Sequence, residues 1–129
     1  MNDKKEAKFS VRKRFKSLTY VFNGLSILIR EEHNSRIHIS VAVGAVIIAF
    51  LLGISLLEWA VLLLAIGFVI TLEIVNTVLE NIADFVSPGY NDLIKRVKDL
   101  SAAAVFIAAI IAILIGLVIF LPKIIALFC

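Results

Sequence analysis

Two uninterrupted apolar runs, His38–Leu57 and Leu100–Leu121, leave this chain little choice of fold. Neither contains Asp, Glu, Lys or Arg. Each is long enough to cross a bilayer as a helix, which takes about 20 apolar residues. Between them, Trp59–Leu72 is equally apolar but shorter, and it spans only if its helix runs on through Glu73 and Glu80 toward Asp84. Pro88 and Gly89 then stop it, one lacking an amide donor and the other permitting a turn. Of 129 residues 61% are apolar, against about 45–50% in soluble domains. A soluble two-substrate enzyme is excluded. The expected fold is all-α and integral to a membrane, one domain over 1–129 with transmembrane helices at 37–57, 59–86 and 98–121.

The basic residues set the expected orientation. Seven of the 13 Lys and Arg precede residue 17: Lys4, Lys5, Lys8, Arg12, Lys13, Arg14 and Lys16. Lys95, Arg96 and Lys98 fall between the second and third spans, Lys123 lies near the C-terminus, and Ser55–Glu58 has no Lys or Arg. The positive-inside rule then puts the N-terminus and second connection in the cytoplasm, and the first loop and C-terminus outside. The net charge of +3 is thus a topological signal, and no nucleic-acid partner is implied. Val11, Phe15, Leu18, Phe22, Leu25 and Ile29 recur every three or four residues, the pattern of one helical face. They predict an amphipathic surface helix over 8–30, lying in the interface among membrane lipids rather than serving as a signal peptide. The single Cys129 excludes an internal disulfide framework and a cysteine zinc site.

The acids carry the chemistry. Glu73, Asn76, Glu80 and Asp84 share one helical face, with Ile74, Val75, Val78, Leu79 and Ile82 between them. Each acidic group at the bilayer centre costs about 2.5–3.5 kcal/mol. Asn76 and Thr77 alone would read as polar glue between helices. Three carboxylates ask for a polar interior, cations or a substrate. Glu31 and Glu32 add acid before the first span, and carboxylates converging from separate helices suit Mg²⁺, a hard cation that favours oxygen. Lys98 and Asp99, with Lys95 and Arg96, could clamp phosphate or act as a positive-inside anchor. His33 and His38 are a weak metal signal and read better as solvated or hydrogen-bonded side chains. The six glycines form neither of the glycine-rich phosphate loops, which excludes soluble kinase folds. Ala104, Ala108, Ala112 and Gly116 form a small-residue stripe suited to close helix packing within or between subunits.

Glu73-x-x-Asn76-Thr77-x-x-Glu80-x-x-x-Asp84, followed by Lys98-Asp99 and Ala102-Ala103-Ala104, resembles the prokaryotic diacylglycerol kinase family. These are small three-span lipid kinases unrelated to the soluble ones. The likeness covers about Phe15 to Lys123 and departs from the usual pattern at Val78, Ala83, Gly89 and Asn91. Glu32-x-Asn34-x-Arg36-Ile37-His38 resembles the Gram-positive branch, whose members phosphorylate undecaprenol. The resemblance implies a homotrimer in the bacterial cell membrane, with active sites shared between subunits. It implies ATP as phosphoryl donor, Glu73 as general base, Glu32 and Glu80 as Mg²⁺ ligands, and Asn76 and Lys98 as positioning or phosphate-contacting groups. Asp99 would support Lys98, and Lys13, Lys16 and Tyr20 would lie near the nucleotide. Undecaprenol is the expected acceptor, and diacylglycerol the alternative. A different class of function, a non-catalytic membrane subunit or cation-conducting oligomer, stays open on the residues alone.

Overall fold

A computed structural model describes residues 8–129. Lys4 and Lys5, counted above with the basic residues, lie outside them. Four helices follow in order: α1 (Val11–Glu31), α2 (His33–Leu52), α3 (Leu56–Val86) and α4 (Asp92–Phe128). The last three are long and apolar enough to cross a membrane. This is the three-span architecture expected, although its boundaries differ in ways that local chemistry explains.

Glu32 alone separates α1 from α2. Its backbone is extended (φ −105°, ψ 106°), yet its amide still donates to the Leu28 carbonyl at 3.1 Å. Helix α2 therefore begins a turn earlier than the expected start at residue 37, with His33 to Arg36 as its first turn. At its other end α2 does not reach residue 57. Gly53 adopts the left-handed conformation (φ 60°, ψ 53°), its amide bonds Phe50, and the Ile54 amide bonds Ala49. This is a Schellman stop, closed by the apolar contact of Ile54 on Ala49. The first connection is thus Gly53–Ser55 rather than Ser55–Glu58.

A capping box starts α3. The Ser55 hydroxyl accepts from the Glu58 amide at 3.2 Å, and Glu58 Oε1 accepts from the Ser55 amide at 3.1 Å. The helix runs 31 residues without a break. At 1.5 Å per residue, Glu73 lies about 25 Å from Leu56 and Glu80 about 36 Å. For a hydrocarbon layer of about 30 Å entered at Leu56, Glu73 would fall just inside the far edge and Glu80 beyond it.

The Asn91 side chain accepts from the amides of Leu93 and Ile94 and caps α4. Lys95 and Arg96 are therefore on the helix's opening turns with Lys98 and Asp99, not in a connection ahead of a span that starts at residue 98. The helix also passes through Pro122 and continues to Phe128. Proline removes one backbone bond, but beyond it Lys123 reaches Glu58 of α3 at 3.1 Å and fastens the final turns.

Helices α3 and α4 form the antiparallel pair at the centre of the chain, joined by Lys98–Asp84 and Ser101–Asn76 toward one end and by Lys123–Glu58 at the other. The buried core is small: Ala49, Ile54, Leu62 and Ile119 at the end near Gly53, flanked by Trp59, with Phe50 tilted against Trp59 at 4.7 Å. Elsewhere large side chains such as Leu64, Phe68, Phe106 and Val118 face outward. A soluble chain could not leave them so. Of the small-residue stripe, Ala108 is buried, Ala112 and Gly116 are half-buried and Ala104 is exposed.

Candidate active site

The site forms where α2 leans on the acidic end of α3. Glu73 is only 4% exposed. A buried carboxylate without partners would be costly. Here the Ser35 hydroxyl donates to Oε2 at 3.2 Å and His38 Nε2 stands 3.1 Å from Oε1. Both partners come from α2, one turn apart, which is possible only because that helix begins at His33. Thr77, one turn further along α3, turns its hydroxyl back to the Glu73 carbonyl at 3.0 Å. The sequence reading missed Ser35. Its signal was the three-residue spacing to His38, visible only once both are placed on one helix.

Glu32 and Glu80 stand at the edge of this site, each partly buried. Glu32 is held above the ordinary range of a glutamate, first by burial and then by the negative charges of Glu80, Glu73 and Glu31. Carboxylates from the α1–α2 junction and α3 thus converge closely enough to repel. Among the described residues no three His, Cys, Asp or Glu side chains form a metal cluster. Two carboxylates near enough to feel one another's charge still fit Mg²⁺, which usually takes one or two protein carboxylates and completes its shell with phosphate and water.

Asn76 faces α4, where the Ser101 hydroxyl donates to its Oδ1 at 2.6 Å. One end of the amide is thereby used as interhelical glue and the nitrogen is left to donate. Lys98 also faces α3, and its partner is Asp84, not Asp99. Asp99 instead takes Lys95 at 2.6 Å, four residues back on the same helix. Consecutive helical residues point about 100° apart, so Lys98 and Asp99 cannot serve one another. Lys98 also feels the charge of Glu80. Glu32, Glu73, Glu80, Asn76, Asp84 and Lys98 accordingly occupy one end of the bundle.

Lys13, Lys16 and Tyr20 are not brought to that end within the single chain. All three are exposed on α1, Tyr20 about 16 Å and Lys13 about 27 Å along its axis from Glu31. Helix α1 packs chiefly on α2, through its Glu32-proximal turns, where Leu28 is buried.

An apolar groove of about 540 Å³ runs from this site down the bundle between α2, α3 and α4. Val41, Ala45, Ile66, Ala112 and Gly116 line it, and it extends to Ile124 near the far end of α4. Its single polar side chain is His38, the residue beside Glu73. A lone polar head joined to a long apolar trough matches a lipid that bears one reactive group.

The family model described as prokaryotic diacylglycerol kinase matches residues 19–120, a stretch that includes the whole carboxylate site. The chain belongs to the prokaryotic diacylglycerol kinase family. It is similar to the undecaprenol kinase of Bacillus subtilis, 36% identical over 94% of this chain and 98% of that protein. It is also similar to the diacylglycerol kinase of Synechocystis, 37% identical over 86% of this chain and 64% of that protein. To the diacylglycerol kinase of Escherichia coli K12 it is 34% identical, over 54% of this chain and 57% of that one. The protein is therefore a multi-pass membrane lipid kinase, and the non-catalytic, cation-conducting alternative is set aside.

Proposed function

We propose that this kinase phosphorylates undecaprenol with ATP at the cytoplasmic face of the bacterial membrane. The observation that carries the acceptor is the groove: a long apolar channel whose one polar lining residue, His38, bonds the buried carboxylate of Glu73. Undecaprenol has one hydroxyl and otherwise only hydrocarbon, and the groove is lined to match. The Bacillus subtilis relative, similar over nearly its whole length, supports the same acceptor.

In this reading the acceptor hydroxyl approaches Glu73, which takes its proton as the oxygen attacks the γ-phosphate and ADP leaves. The phosphoryl group passes directly from one oxygen to the other, and Glu73 afterwards releases the proton. Lys98 and the free amide nitrogen of Asn76 bind phosphate oxygens, Lys98 exchanging Asp84 for the nucleotide. Glu32 and Glu80 would hold Mg²⁺, which when bound neutralises phosphate charge. Lys13, Lys16 and Tyr20 meet the nucleotide only if another copy of the chain supplies them or α1 swings, and a homotrimer with shared sites is the arrangement we favour. Helix α1 lies in the interface with its basic side toward lipid headgroups, and the C-terminus is outside.

Diacylglycerol is the second acceptor to consider, because the Synechocystis relative bears that name. Purified protein in vesicles, given labelled ATP and each lipid in turn, separates the two. The proposal expects polyprenyl phosphate to form at a higher kcat/KM. A preference for diacylglycerol would overturn the acceptor and leave the chemistry standing.

A further inference from the structure

Glu73 is gripped at both oxygens from one helix, and no other acid in the site is. Ser35 takes Oε2 and His38 takes Oε1. Among the described residues Ser35 is the most completely enclosed polar one, at 1% exposure. Had Glu73 only needed a partner to be tolerated in lipid, one donor would have served. A carboxylate held by one donor still turns about its last bond. Held by two donors on opposite oxygens, its plane is fixed.

We propose that Ser35 and His38 are positioning residues for the kinase reaction: together they orient the Glu73 carboxylate so that an unused lone pair faces the head of the apolar groove. An ionised carboxylate offers about four acceptor sites. Two are taken, and His38, which bonds Glu73 Oε1, is itself part of the groove lining, so the remaining sites lie beside the groove's head. For this the His38 imidazole carries a proton on Nε2, so that it donates to Glu73 rather than competing for the acceptor's proton. The Thr77 bond to the Glu73 carbonyl steadies the backbone beneath. The inference rests on Glu73 being the base. It adds that α2 does more than fill space: it aims the reacting oxygen. The contribution belongs to orientation, where small displacements of a reacting group cost much rate.

The same bonds also tie α2 to α3, so loss of activity alone would not separate aiming from glue. His38 is the better probe because it is only half-buried, whereas Ser35 is enclosed. The test uses the full-length protein in vesicles with undecaprenol and ATP. We expect His38→Leu to lower kcat about tenfold or more while KM for ATP stays within about twofold. His38→Gln, which keeps a donor, recovers most of that kcat, and Ser35→Ala behaves like His38→Leu. Glu73→Gln is run alongside. If it retains turnover, the reading of the base has failed. If it is dead while His38→Leu and Ser35→Ala run at the wild-type kcat, the base stands and the aiming role is wrong. A fall in kcat at His38 that glutamine does not restore would overturn the aiming role too.

Discussion

Glu32 shows how much of this protein's behaviour is carried by single side chains. Its carboxyl is pushed up by burial and by Glu80, Glu73 and Glu31, so the folded chain binds a proton there more readily than the unfolded chain does. The sign follows. Stability contributed by the protonated form is present at low pH and is lost as pH rises through the raised value. At neutral pH without divalent cation, Glu32→Gln should therefore raise the melting temperature in detergent. Added Mg·ATP should reverse the order, since only the wild type gains a ligand for the metal. Protons and Mg²⁺ also compete for this carboxylate. At limiting Mg²⁺, activity should begin to fall on acidification above the ordinary glutamate range, and saturating Mg²⁺ should move that fall to lower pH. An acidic limb indifferent to Mg²⁺ would remove Glu32 from the metal site. The stripe from Glu73 to Asp84 was legible in the sequence because helical spacing alone puts these residues on one face. The pairings were not. Lys98 with Asp84 depends on how two helices meet, and Asp99, which the resemblance gave to Lys98, pairs with Lys95.

The helices themselves were readable as apolar runs, and their ends were not, because ends are decided by capping rather than hydropathy. Gly53 is the clearest case. Its left-handed backbone interrupts a run that is apolar from His38 to Leu57. Gly53→Ala should cost about 1–2 kcal/mol, the price of a Cβ in that conformation. Unfolding in mixed micelles would measure it, and there is open space around the site, so crowding cannot confuse the result. Ser55→Ala removes half of the box that starts α3 and should cost about 1 kcal/mol by the same assay. The start of α2 mattered most for function. Reading it at residue 37 left Ser35 in a turn, and one turn more of helix turns Ser35 and His38 into neighbours on the face that meets Glu73.

A single chain does not account for all of the surface it leaves open. Apolar side chains cover most of the outward faces of α2, α3 and α4. Lipid satisfies them, and so would further copies. Three long helices with one small core are a thin bundle in which to keep Glu73, Glu80 and Asp84, and a trimer would close around them. The mass of the protein–detergent particle, corrected for bound detergent, should give three chains. The lone cysteine offers a direct check of topology, since Cys129 is exposed at the end of α4. In intact cells a membrane-impermeant maleimide should label it. Labelling only after permeabilisation would reverse the orientation derived from the basic residues.

Whether a buried carboxylate performs the chemistry is open to one decisive comparison. Wild type and Glu73→Gln are reconstituted in vesicles containing undecaprenol, supplied with labelled ATP and Mg²⁺, and their initial rates of lipid phosphorylation measured with nucleotide binding as a control. Glu73→Gln should bind Mg·ATP as the wild type does and lose about 10²–10⁴-fold in rate, the range a general base contributes. A variant that still phosphorylates the lipid at the wild-type rate would contradict the assignment.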